Sequence, residues 1–218
     1  MSDSFGHIFD ADLLEDAVRN QLKLWLPTYL LELELQRGLA PNSLERPRSF
    51  LVAEEVDREM GDQLPSVIVV SPGLVDRPIL EGGSLYRARW HVAAGVMVEA
   101  GGADPRAATK RMMRRYQAAV RACLLQKRGV LPYVDEDSPQ VSDVAWVDES
   151  YDRLDFEAGQ TIAAGESVFE FEITHVTNRN GGPAFPAVPD PPAQVGADWP
   201  TVQSTQVEVD PVPITEEV

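Results

Sequence analysis

Apolar positions along the chain recur with two periods, one near 3.6 residues and one of two, and these mark out helices and strands in turn. Over residues 10–26, Leu14, Val18, Leu22 and Trp25 return at helical steps with Glu15, Asp16, Arg19 and Lys23 between them. Asp10 or Asp12 suits the N-cap, and Pro27 is expected to end or kink the run. Residues 28–37 alternate as a strand would, yet they are strong helix formers lying between Pro27 and Gly38, so a second short helix is expected there. Residues 42–64, broken by Pro47 and Gly61, predict a loop with one short helical or extended piece.

The β-branched run Val67-Ile68-Val69-Val70 between Pro65 and Pro72 predicts a buried strand. From 86 to 98 the even positions Tyr86, Ala88, Trp90, Val92, Ala94, Val96 and Val98 are apolar, while Arg87, Arg89 and His91 are not. A period of two held this long predicts a half-buried strand with one face on the core. Residues 72–84, with Gly73, Pro78 and the Gly82-Gly83 pair, read as a long connecting loop, and such loops on a rigid sheet often contact partners. Val75, Asp76, Arg77 and Glu81 are its candidate interface residues.

Residues 104–127 give the clearest helix, with Asp104 as N-cap, Pro105 at the first helical position and Gly129 beyond the end. At about 100° per residue, Met112, Tyr116, Ala119, Val120 and Cys123 share one arc, and Arg111, Arg114, Arg115 and Arg121 the opposite one. Strands are predicted at 141–147 and 168–176, the second with Phe169, Phe171, Ile173 and His175 on one face. A linker over 148–166 is expected to hold a turn and a short extended piece. From 180 to 218 there are eight prolines, six acidic residues and no Lys or Arg. That composition predicts a disordered, acidic tail. The fold class is therefore α+β: one compact domain over 1–179, a mixed or antiparallel sheet with helices packed on it, and a flexible tail over 180–218.

Charge narrows the partners. The net charge is −16, which disfavours free nucleic acid because phosphate contacts need positive surface. Residues 103–129 nevertheless hold eight Lys or Arg against one acid, a local +7 that leaves −23 for the remainder. Arg111, Arg114, Arg115 and Arg121 read either as a solvated helix face or as an interface with the acidic surface of a neighbouring copy; DNA threading a ring is a third reading. Cys123 is the single cysteine, which excludes an internal disulfide and fits a small buried hydrophobe. His7, His91 and His175 have no mutual spacing that suggests a metal or a catalytic centre. Asp148, Glu149, Asp152, Asp155 and Glu157 read as surface-loop acids. No G-x-S-x-G elbow or glycine-rich phosphate loop occurs, and no cofactor, metal or catalytic residue is predicted. No signal-like segment or membrane span is read from the sequence, which predicts a chain made in the cytoplasm.

The order helix, loop, Ser66-Val67-Ile68-Val69-Val70-Ser71-Pro72-Gly73, long strand Tyr86-Arg87-Ala88-Arg89-Trp90 and helix Arg114-Arg115-Tyr116-Gln117-Ala118-Ala119-Val120-Arg121 resembles tail terminator proteins of long-tailed bacteriophages. Trp146-Val147-Asp148-Glu149-Ser150-Tyr151-Asp152 and Ala163-Ala164-Gly165-Glu166-Ser167-Val168-Phe169 extend the resemblance, which covers residues 10–177; the proline-rich tail departs from it. The resemblance implies a structural protein rather than an enzyme, one that assembles in the host cytoplasm and ends in the virion neck. It implies a homohexameric ring on the last ring of the tail tube, with the tube protein and the head–tail connector or stopper as partners, and with no catalytic residue. A head-to-tail stopper or connector ring protein is the structural alternative, and a small cytosolic carboxylate-dependent hydrolase the alternative of another class. Limited proteolysis of the isolated chain is expected to leave a core lacking most residues after 179; a tail that resists cleavage would move that boundary.

Overall fold

The computed structural model describes residues 9–52, 63–82, 85–99, 105–127, 129–133, 138–155 and 161–176. The expected tail, the Asp104 cap, His7 and Glu157 lie outside them. Within them, helix α1 (Ala11–Gln36) is followed by strands β1 (Ser49–Val52), β2 (Ser66–Leu74), β3 (Ile79–Gly82) and β4 (Leu85–Glu99), helix α2 (Pro105–Gln126), and strands β5 (Gln140–Asp155) and β6 (Thr161–Val176). The sheet runs β1-β2-β4-β6-β5, with β3 added on β4. The β1–β2 pair is parallel and the others antiparallel, so the sheet is mixed, and the fold is α+β.

Its centre is the β4–β6 pair, whose register runs from Leu85↔Val176 to Glu99↔Ile162. Val92, Ala94, Val96 and Val98 of β4 share one buried face with Phe169, Phe171 and Ile173 of β6. Both helices pack on that face, α1 over β2 and α2 over β6 and β4. Tyr116, Val120, Cys123 and Leu124 of α2 are buried there. Gly165 marks the closest approach of the second helix, since a Cβ at that position would stand 2.6 Å from Met113 Sδ. Beside it Ser167 Oγ donates to Gln117 Oε1 at 2.7 Å, closing a buried polar contact between strand and helix.

Three expectations need correction. Pro27 does not divide the first helical region, because α1 continues through it to Gln36. An internal proline costs about 3 kcal/mol, through a lost hydrogen bond and a clash with the preceding turn. Leu22, Leu26 and Leu30 are all fully buried, and at about 1.5–3 kcal/mol each their burial outweighs that loss. The segment 72–84 is not simply a loop: Pro72 and Gly73 belong to β2 after a register shift, and β3 pairs with β4. The expected linker over 148–166 is largely strand, with β5 reaching Asp155 and β6 beginning at Thr161. Asp148, Glu149, Asp152 and Asp155 therefore lie on β5. A register shift between Trp146 and Asp148 interrupts the apolar–polar alternation there, which hid the strand's continuation in the sequence.

Helix α1 is fixed at both ends. Asp10 caps it by accepting the Leu13 N–H at 2.9 Å. At its far end Gly38, at φ 60°, donates to Leu35 O while Leu39 donates to Glu34 O, the paired bonds of a Schellman ending. Two buried glutamates anchor it sideways. Glu15 accepts the Ser71 N–H at 2.5 Å where β2 shifts register. Glu34 accepts the Leu44 N–H at 2.7 Å, the Asn42 N–H at 3.1 Å and the Arg46 guanidinium at 2.9 Å.

The Arg46 guanidinium and these backbone donors hold the Glu34 carboxyl well below its ordinary value of 4.5, at about 2. A depressed carboxyl contributes stability above its unfolded value and loses it as pH falls toward the folded one. Urea midpoints are therefore expected to drop between about pH 4.5 and about pH 2 in the native chain. Glu34→Gln should flatten that fall and lower stability at pH 7 by about 1–3 kcal/mol, because the buried Leu44 N–H and the half-buried Arg46 guanidinium lose their charged acceptor.

Candidate interaction surface

The helices run antiparallel along a seam in which α1 positions spaced by four meet α2. Gln21 Nε2 donates to Lys127 O at 3.3 Å, Lys127 Nζ lies 4.2 Å from the Trp25 ring centroid, and Tyr29 Oη donates to Gln126 at 3.0 Å. One step further, at Leu33 and Arg37, the seam opens into a groove of about 490 Å³. Leu33 and Ala118 supply its apolar lining; Arg37, Lys110, Arg111, Arg114 and Arg115 supply its charge. Among the described residues no carboxylate lines it. Among the described residues none of these cations forms an ion pair, although Arg114 lies over the Tyr151 ring at 5.7 Å. A second hollow of about 360 Å³ continues along the seam, sharing Leu33 and Ala118 with the first and adding Tyr29, Glu32, Gln36 and Gln126; the Glu32 carboxylate there accepts from Gln36 Nε2 at 2.9 Å. The result is an elongated channel, positive at one end.

The structure divides the predicted arginine stripe. Arg111, Arg114 and Arg115 meet in the groove. Arg121 instead turns to β5, where its Nη1 donates to Glu149 Oε2 at 2.6 Å and its guanidinium lies 4.3 Å from the Trp146 ring centroid. It is neutralised within its own chain and does not belong to an outward stripe. Arg37 and Lys110 were missed. Lys110 stands one turn before Arg114 and was legible from helical spacing, whereas Arg37 is brought in by tertiary packing alone.

The other predicted set lies elsewhere. Val75 donates its N–H to Arg89 O at 2.8 Å, and Asp76 accepts from Arg89, which also reaches Glu170 at 3.2 Å. Glu81 pairs with Arg87 at 2.8 Å. Asp76 and Glu81 are thus balanced within the sheet, beside the exposed apolar side chains of Leu74, Ile79 and Leu80. This turn follows β2, which meets α1 near Glu15, while the groove lies at Arg37. The two surfaces stand at opposite ends of α1, roughly 33 Å apart by helical rise.

The remaining reactive groups are engaged in packing. Burial pushes the Cys123 thiol up to about 12, so it stays protonated in the core. His175 is lowered by burial and stacks near Tyr86 and Phe9. His91 Nε2 lies 3.4 Å from Glu170 Oε1. Among the described residues no three His, Cys, Asp or Glu gather as metal ligands, and no helix is long and apolar enough to cross a membrane. No family model matches the chain, and neither does any curated protein.

The two arginine environments predict different responses to truncation. Arg121→Ala should lower stability by about 1–2 kcal/mol, since it removes a charge-assisted hydrogen bond and a ring contact. Arg115→Ala should change it by less than about 0.5 kcal/mol. Urea denaturation of the two variants checks this, and equal effects would contradict the division of the stripe.

Proposed function

We propose that the chain is a structural assembly subunit of a long-tailed bacteriophage, a tail terminator that forms a ring on the end of the tail tube and joins it to the head connector. The observation that carries the self-assembly part of this reading is the cationic groove. Positive charge is gathered, with no neutralising carboxylate among the described residues of the groove, on one surface of a chain whose net charge is −16. Such segregation favours contact between unlike surfaces of two copies and opposes contact between like ones. A contact between unlike surfaces repeats head to tail and closes into a ring when its rotation permits.

The hairpin end supports the same reading. Leu74, Ile79 and Leu80 expose apolar surface around ion pairs already satisfied internally, the composition of a contact patch with a polar surround. In this reading the turn at Val75, Asp76 and Arg77 meets the tube or an adjacent ring. The identification with a terminator rests on the sequence resemblance. Function is mechanical: occupying the tube end blocks further tube subunits, and the opposite ring face receives the connector.

Native mass measurement of the purified chain, alone and with tube protein, tests the proposal. A closed oligomer of about six copies is expected, and a monomer under both conditions would contradict it. Because β3 pairs with β4, deleting residues 75–81 would remove part of the sheet, so point changes are the sharper probe. Arg77→Glu with Leu80→Ser should leave the circular dichroism unchanged and weaken co-sedimentation with tubes about tenfold or more, the effect of losing one modest contact cluster.

A further inference from the structure

The groove is cationic at its Arg37 end and floored by Leu33 and Ala118, so an occupant of that end should be acidic and able to place apolar groups between its charges. One stretch of this chain has that chemistry. Residues 203–218 contain Glu208, Asp210, Glu216 and Glu217 and no Lys or Arg. Val207 and Val209 alternate with Glu208 and Asp210, so an extended backbone would present acids and valines to opposite sides. Pro211 and Pro213 favour an extended backbone before binding, which lowers the ordering entropy that docking must overcome. We infer that the groove lined by Arg37, Lys110, Arg111, Arg114 and Arg115 receives residues 203–218 of a second copy of the chain.

The self-assembly reading makes the donor a second copy. Val176, the last residue of β6, pairs with Leu85, and the adjacent His175 meets Phe9 just before α1 begins. The groove lies at the other end of α1, at Arg37. The chain leaves the sheet at one end while the receptor opens at the opposite one, and residues 177–202 between them span about 85 Å when extended, enough to carry the acidic segment to a neighbouring copy in a ring. Four carboxylates against five cations give the contact its sign match, and the apolar floor at Leu33 and Ala118 lies where the valines would pack. The inference rests on the self-assembly reading and names the segment that would join the copies.

The test uses the full-length chain with Asp190, Asp198, Asp210→Asn and Glu208, Glu216, Glu217→Gln, so that its own acids do not compete. A fluorescent synthetic peptide of residues 203–218 is titrated into it and followed by anisotropy. Saturable binding is expected, weakened about tenfold by Arg111→Glu with Arg115→Glu, as two modest exposed ion pairs imply. Lys23→Glu, exposed on α1 outside the groove, should leave it unchanged. Absence of binding, or binding indifferent to the double reversal, would overturn the inference. Cross-linking of mixed isotopically light and heavy wild-type copies should join residues 203–218 of one mass to α2 of the other; links within single copies only would overturn it. Native mass separates the two readings. If the neutralised chain forms rings as well as wild type does, the docking inference fails and self-assembly stands. A wild-type chain that stays monomeric removes self-assembly, and with it the second copy as donor.

Discussion

The pairing of β4 with β6 is the constraint from which the rest of the structure follows. Both strands alternate with a period of two, and their register places Val92, Ala94, Val96 and Val98 on the same face as Phe169, Phe171 and Ile173. A slip of one residue would turn one of these sets to the other side, so burial of either fixes the register of both. Once that face is apolar, both helices must cover it, and their outer surfaces are free to carry charge. The opposite face takes the polar alternates, and there Arg87 and Arg89 cross to Glu172 and Glu170 on the neighbouring strand. Exposed pairs of this kind contribute only about 0–1 kcal/mol each, so they favour cross-strand order more than overall stability.

Helix α1 gives the domain two distinct ends. Its apolar stripe from Leu14 to Leu30 lies on the core, and its two buried glutamates tie opposite ends to different backbone segments. Glu15 satisfies an N–H at the irregular end of β2, and Glu34 gathers the turn that precedes β1. Because both carboxylates accept backbone donors, the helix is held against sliding as well as lifting. Arg37 is thereby fixed opposite Lys110, Arg111 and Arg115. The cationic groove thus depends on a buried acid three residues away in sequence.

Much of this was legible in the sequence, where side-chain period reports burial directly. The even positions of β4, the apolar face of β6 and the packing of Tyr116, Val120 and Cys123 followed from spacing alone. What failed depended on neighbours distant in the chain. Pro27 suggested a break because the local cost was visible, while the compensating burial of Leu22, Leu26 and Leu30 against the sheet was not. The continuation of β5 past Asp148 was masked by a register shift, and β3 by its short length. At the surface, helical spacing grouped Arg121 with Arg114 correctly by angle. It could not reveal that Trp146 and Glu149 stand beside Arg121, or that Arg37 completes the groove from another helix.

In the function we propose, this fold acts by occupying the end of a tube. Electron micrographs of tube protein polymerising with and without the full-length chain test it most directly. Added chain is expected to shorten the tubes and leave ring-shaped density at one end of each, with the effect lost as salt screens the charged contacts over roughly 8 Å or less. An unchanged length distribution with bare tube ends would contradict it.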